Sequence, residues 1–566
     1  RYRPAYGAAG RIEAAKYVAA GPSLDQCHEH IAGHGEAVAA ERTASERQSR
    51  VPAWLFSRRV DRKHLGHIVV ALFFAFFIFA IESDLTHNLL RYGSDPGWIY
   101  SDMNGFGPFV APFVWFKLYW AAWALLLGVV AVLLYVRGTE SGWRQRVAEA
   151  RMRMTGGVMR AAVVAAVLVV ALGGFIFYNT NVLNDYRTDD EANAAAAVYE
   201  KTFGIYRDLP QPVIVSATLN IEIHPERGAV DLRGTYWMVN RSDTVIKSVH
   251  VLAPRSVDVR SLQFELGPRV RPASLRLQDT RHHQYRVYRL ETLFAPGDTM
   301  RLTFDHRFER RGFPNSGINT SVAENGAYFD RNWLPRIGYQ ESWELTDVYE
   351  RKQRGLPARS APTLDDPRGK NQRYESRDAD VVSVDAVIGT AEDQIAITTG
   401  TLVREWRGKG RRYFHYKTDT PLMFAVPVLS ARYAVREDTW NDVALKIFHH
   451  PTHTFNLDRM IRSMQASLEY FTREFGPYQF KELRIVEFPR YARFPGAHPH
   501  TIAYSEGGAF LTRVEEGDVD RPFFVTAHEI AHQWWGGQLS AARVVRVGMI
   551  SETLAQYGAM MVMGKT

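Results

Sequence analysis

Residues 528 to 536 read His528-Glu529-Ile530-Ala531-His532-Gln533-Trp534-Trp535-Gly536. Histidines four apart share one face of a helix, so both imidazoles can reach a single ion at about 2.0–2.1 Å. Glu529 projects beside that face, where a carboxylate can take a proton from water that the ion activates. The segment predicts a helix opening at Asp520, with Pro522 in its first turn, and closing at Gly536-Gly537. The sequence has one cysteine, Cys27, which excludes an intramolecular disulfide framework and any multi-cysteine metal site. A metal must then be held by histidine and carboxylate. Tetrahedral zinc needs a third protein ligand, and Glu552 is the sole acidic residue after His532. It opens a further helix predicted from about Ser551. There it can complete the site, or serve as an acid in a helical first turn, where the dipole favours one.

Working towards the N-terminus, Leu457, Met460, Ile461, Met464, Leu468, Phe471 and Phe475 recur by threes and fours. They predict an amphipathic helix closed by Gly476-Pro477, followed by a strand from Leu483 to Phe488. These elements form an α+β unit over residues 438–566. Before it, residues 208–437 carry short alternating strands separated by Gly, Pro, Asn and Asp turns. Leu219, Ile221 and Ile223, followed by a turn at Pro225 to Gly228, are the clearest case. The pattern predicts an all-β sandwich or saddle.

The front of the chain has a different character. Three apolar runs, about 65–81, 118–136 and 161–178, are each long enough for a short membrane span. Trp115, Tyr119, Trp120, Tyr135 and Tyr178 flank them, as aromatic side chains do at headgroup level. Residues 57–178 therefore read as a three-helix transmembrane region in a lipid bilayer. It is preceded by a polar segment, 1–56, and followed by a juxtamembrane linker, 179–207. Arg58, Arg59, Arg62 and Lys63 precede the first run. Arg137, Arg144, Arg146, Arg151, Arg153 and Arg160 separate the second from the third. The loop between the first two runs carries Glu82, Asp84, Asp95 and Asp102 against Arg91. The positive-inside rule then makes the protein multi-pass, with everything after Tyr178 outside the cytoplasm, in the periplasm if the cell is Gram-negative. The net charge of +8, from 69 basic and 61 acidic residues, is largely explained by these segments without nucleic acid. A content of 46% hydrophobic and 23% charged residues excludes disordered and collagen-like classes. The chain begins at Arg1 without an initiator Met and stops at Thr566 inside an apolar pattern, so it reads as a piece of something longer.

The His528–Gly536 segment, followed by Ser551-Glu552-Thr553-Leu554-Ala555, resembles the membrane alanyl aminopeptidase family of zinc metallopeptidases, the gluzincins. Phe475-Gly476-Pro477-Tyr478 and the Leu483-to-Pro489 strand are similar to the start of that family's catalytic domain. The resemblance implies a thermolysin-like zinc peptidase domain, truncated here, behind a β-rich N-terminal domain. It implies one Zn²⁺ per chain on His528, His532 and Glu552, Glu529 as general base, and a peptide substrate. The transmembrane part is similar to bacterial proteins in which such a peptidase is joined to an exporter permease-like region. The alternative function is thus a permease subunit of an ABC-type transporter carrying a peptidase-like module. That reading requires a separate ATPase subunit. Gly564-Lys565-Thr566 does not make a P-loop, since position 559, where the first glycine belongs, is Ala559.

Three departures from the family stand out. Nineteen residues, Gln533 to Ser551, separate His532 from Glu552 where the family has eighteen. The family's Gly-Ala-Met-Glu-Asn segment, whose glutamate holds the substrate's amine, has its nearest match in Pro495-Gly496-Ala497-His498-Pro499-His500, which lacks the acid. Glu506, a few residues on, is the candidate substitute in substrate binding. The family's tyrosine for the tetrahedral intermediate would lie beyond Thr566. The remaining histidine groups have plainer readings: His28, His30 and His34 in a solvated segment, His282-His283 at a surface, and His449, His450 and His453 in a polar turn. Met560, Met561 and Met563 read as core packing.

Overall fold

In the computed structural model the described residues are 71–72, 75–76, 85–135, 143–266, 274–279, 284–370, 377–545 and 547–565. The first apolar run, the 1–56 segment with Cys27 and its histidines, and His282-His283 lie outside them, apart from the two dipeptides.

Helices come first and β-sheets follow, in a mixed α/β chain. Two helical stretches, Gly107–Leu134 and Gly156–Leu183, are long and apolar enough to cross a membrane. Both begin before the apolar runs that announced them. Lys117 does not end the first, because its ammonium is matched by Asp95 at 2.7 Å and the Gly93 carbonyl at 2.8 Å. The second is capped by Thr155, whose hydroxyl accepts from the Val158 amide. The two pack through Phe116, Tyr119, Trp120 and Ile176, leaving Leu125, Val132, Val163 and Val170 exposed. A basic helix, Trp143–Arg153, lies between them in sequence.

The juncture expected as a linker contains a helix, Asp189–Phe203, opened by a full capping box between Thr188 and Glu191. Tyr199 and Phe203 anchor it on Tyr285 and Tyr339. The β half then builds a large sheet in the order Thr401–Gly408, Arg411–Lys417, Ala379–Ala391, Val213–His224, Ala229–Val239, Thr299–Glu309, Val257–Leu266. A four-stranded sheet containing Ile246–Ala253 and Gln284–Phe294 closes over it. Leu219, Ile221 and Phe304 of the large sheet share one core with Val249, Val251 and Phe294 of the small one. Two sheets around a common apolar layer make a sandwich. Its central pair, Val213–His224 with Ala379–Ala391, is parallel.

The last unit is a five-stranded sheet ordered Ala434–Trp440, Val443–His449, Glu482–Phe488, Thr501–Ser505, Pro495–His498. Its first strand starts at Ala434, so the chain leaves the sandwich slightly before residue 438. Helices Leu457–Phe475, Arg521–Ala531 and Leu554–Met563 cover one face through Met460, Met464, Phe471, Ile530 and Ala559. Gly558 makes this cover tight: a Cβ there would meet the Phe471 ring at 2.8 Å. Met561 and Met563 pack against this core, while Met560 is exposed. A third sheet of the β half, including Val428–Ala431, covers the other face through Ile397, Leu429, Val486 and Phe488.

Candidate metal centre

Asp520 caps the Arg521–Ala531 helix by accepting from the Phe523 amide at 3.1 Å, and Pro522 occupies its first turn. One turn separates His528 from His532, and their Nε2 atoms stand 3.2 Å apart. After the helix, Gly536 takes a positive φ of 104° and the chain turns back. It returns through a wide, π-type turn, Met549–Thr553, rather than a regular first turn of helix. That turn presents Glu552, whose Oε2 lies 3.5 Å from His528 Nε2 and 3.7 Å from His532 Nε2. Donors tetrahedrally placed around an ion at about 2.0–2.1 Å are themselves about 3.3 Å apart. The three sides of this triangle bracket that value.

Protonation agrees with the spacing. Burial holds the His532 imidazole below its ordinary value, with a smaller push from His528 and an opposing pull from Glu552. The His528 hydrogen bond holds the Glu552 carboxyl low, against burial and with help from His532. Neutral imidazole beside a charged carboxylate is the state that ligates a cation. The Trp535 carbonyl lies 3.1 Å from His532 Nδ1, so an N–H there leaves the Nε2 lone pair towards the triangle. Glu529 is buried, and its carboxylate lies within 4.8 Å of both imidazole donors. It stands beside the triangle, at the edge of a cleft of about 870 Å³ between the β half and the last unit.

Gln533 was not singled out in the sequence. Its amide accepts from the His500 amide at 2.8 Å and donates to the His498 carbonyl at 3.0 Å. It thus ties the helix end to the edge strand Pro495–His498, which forms one wall of the cleft. A glutamine just past the second histidine was the available signal. His498 precedes Pro499, which stands where the resemblance would put the acid. Burial lowers its imidazole to about 4, against a weaker pull from Asp330, so it is neutral near pH 7. Among the described residues lining the cleft, Glu529 and Glu552 are the only acids.

Glu506 must be corrected. It follows the Thr501–Ser505 strand, is fully buried, and faces away from the cleft lining. Its Oε2 accepts from the Ser101 hydroxyl at 3.0 Å and its Oε1 from the Asp102 amide at 3.2 Å. The Thr501–Ser505 strand has His500 at one end, tied to Gln533 of the histidine-bearing helix, and Glu506 at the other, tied to Ser101 and Asp102. The polar turn at 449–453 also does more than expected: His453 joins Glu487 and Glu506 in a second buried cluster.

No known family model matches the chain, and no curated protein matches it significantly in sequence.

Proposed function

We propose that the chain belongs to a membrane-bound zinc metallopeptidase of aminopeptidase type, multi-pass, with its catalytic domain outside the cytoplasm. The observation that carries this reading is the triangle of 3.2, 3.5 and 3.7 Å between His528, His532 and Glu552, with Glu529 beside it. Zn²⁺ held there would supply Lewis acidity and bring the pKa of water towards about 7. Glu529 would take the proton and return it to the leaving amine. The free edge of Pro495–His498 would receive an extended peptide by strand addition. Support for the orientation comes from Arg144, Arg146, Arg151 and Arg153 between the two apolar helices and Arg160 near the start of the second.

In the full-length protein, Glu529→Gln should keep one zinc per chain and lose peptide hydrolysis by about 10²–10⁴-fold. Stoichiometric loss of zinc would show that Glu529 is a ligand instead. For topology, a cysteine at exposed Val519 should react with an impermeant thiol reagent from outside intact cells, and Cys27 should not. One observation favours the second reading, a permease subunit partnered by a separate ATPase. The turn just before the Val110–Leu134 helix docks on the catalytic sheet, a suitable lever for coupling. Co-purification of an ATPase subunit would separate the two readings.

A further inference from the structure

Residues Ser101 to Gly105 form a closed turn at the foot of the first described apolar helix, with the Gly105 amide donating back to the Ser101 carbonyl. The turn is wedged between the β half and the catalytic unit. On one side Asn104 Nδ2 donates to the Asn325 carbonyl at 2.7 Å, and the Asn325 amide returns a bond to Asn104 at 2.8 Å. On the other, Ser101 and Asp102 hold Glu506, and Tyr491 donates to the Gly105 carbonyl at 3.1 Å. Met103 is buried between them.

At the base of the wedge is a chain of ionisable groups. Asp102 Oδ2 lies 3.1 Å from His453 Nε2, and His453 Nδ1 lies 2.5 Å from Glu487 Oε1. The second Glu487 oxygen accepts from the His450 amide at 2.5 Å. A contact of 2.5 Å is a hydrogen bond and leaves no room for an ion between the two donors, unlike the 3.2–3.7 Å triangle. We propose that Asp102, His453, Glu487 and Glu506 form a proton-held latch by which the turn before the membrane helix is docked onto the catalytic sheet.

All three groups with a resolved shift point the same way. Burial opposes charge on His453, but Glu487, Asp102 and Glu506 together outweigh it and raise its imidazole above 6.5. Burial raises Glu487 to about 6, against the His453 hydrogen bond. Burial likewise raises Glu506, against Ser101 and the Arg490 backbone. The neighbours do not reverse this. His449 and His450 are held low by burial and so neutral. Tyr433 donates to the Glu487 backbone carbonyl and stays protonated, as does Tyr491, which faces Glu506 with Arg310 beyond it.

Undocking the turn takes Asp102 from His453 and admits water to Glu487 and Glu506. Burial is the larger cause at both glutamates, so all three values fall towards the ordinary ones even though Glu506 also loses its Ser101 bond. The docked state therefore binds more protons than the free state. Docking is complete at acidic pH; it weakens from the ordinary glutamate value up to about 6 as Glu487 ionises, and again from 6.5 through the raised His453 value. Glu506 follows the strand next to the cleft's edge strand, and Glu487 lies near the end of the strand beyond it, so the latch grips the same sheet that carries the cleft wall.

The test uses the full-length protein in lipid nanodiscs with Cys27→Ser and Met103→Cys. Thiol labelling, corrected for thiolate fraction with a free peptide control, should speed up by about tenfold between pH 6 and pH 8.5. Tenfold is what one proton gives when its affinity differs tenfold between the two states. With His453→Gln added, labelling should be fast at both pH values. Hydrogen exchange over residues 98–106 of the unsubstituted protein reads the same opening without a cysteine. Equal protection at both pH values, or an unchanged pH profile with His453→Gln, would overturn the latch. None of these readouts depends on peptidase activity.

Discussion

Among the described residues the last unit carries two histidine–carboxylate clusters, one half-buried in the cleft and one buried beneath the docked turn that supplies Asp102, and they are built oppositely. In His528, His532 and Glu552 the donor atoms stand 3.2–3.7 Å apart, with burial holding the His532 imidazole low and the His528 hydrogen bond holding the Glu552 carboxyl low. In Asp102, His453, Glu487 and Glu506 the closest contact is 2.5 Å, and burial favours retained protons on Glu487 and Glu506. Both draw on the same residue types. Spacing decides between them: the first set is held apart by a helix and a returning turn, while the second is pressed together by a docked segment. The difference teaches that residue composition alone does not define a metal centre.

The strongest break of this contrast would come from the metal itself. His532→Ala should abolish zinc binding and hydrolysis together, because two remaining donors do not complete a tetrahedral site. His453→Ala should leave one zinc per chain. Metal analysis of both variants checks the pair. A second equivalent of metal that disappears with His453→Ala would make the two clusters alike.

A middle-sized effect is expected at Gln533, which holds the cleft wall to the helix that carries His528 and His532. Gln533→Leu strands the buried His500 amide and frees the His498 carbonyl, at about 1–3 kcal/mol. The wall then loses register with the triangle, and kcat/KM should fall about tenfold while zinc content stays at one. A matched fall in zinc content would mean that Gln533 supports the ligands rather than the wall.

How much of this could be read beforehand follows from the range of each contact. The triangle was legible, since i, i+4 spacing is local and Glu552 was the last acid available. The helix at Asp189–Phe203 was also legible, because Thr188 and Glu191 spell a capping box, yet its alanines passed for a linker. Lys117 misplaced the start of a helix because its partner, Asp95, lies in another segment. Glu506 was misread for a deeper reason. Its partners Ser101 and Asp102 are about 400 residues earlier, and only strand order reveals which end of the sheet it occupies. Periodicity carries no information at that range.

The smallest catalytic effect should come from Glu506, and it discriminates most sharply between the two clusters. If Glu506 held a substrate's amine, Glu506→Gln would harm peptides with free N-termini and spare acetylated ones. Its position against Ser101 and Asp102 predicts otherwise: less than about threefold change on either substrate, within the scatter of a remote substitution. The effect should appear in stability instead. Gln keeps a carbonyl oxygen for one of the two bonds and loses the other, which costs about 1 kcal/mol at pH 5.5. In the parent protein Glu506 is raised by burial, so its folded state gives up the proton reluctantly and loses stability as pH rises above the ordinary glutamate value. Gln cannot ionise. The melting temperature of Glu506→Gln should thus fall less steeply between pH 5.5 and 8.5 than that of the parent. Parallel slopes would remove Glu506 from the proton-held cluster, and selective loss on free N-termini would return it to the cleft.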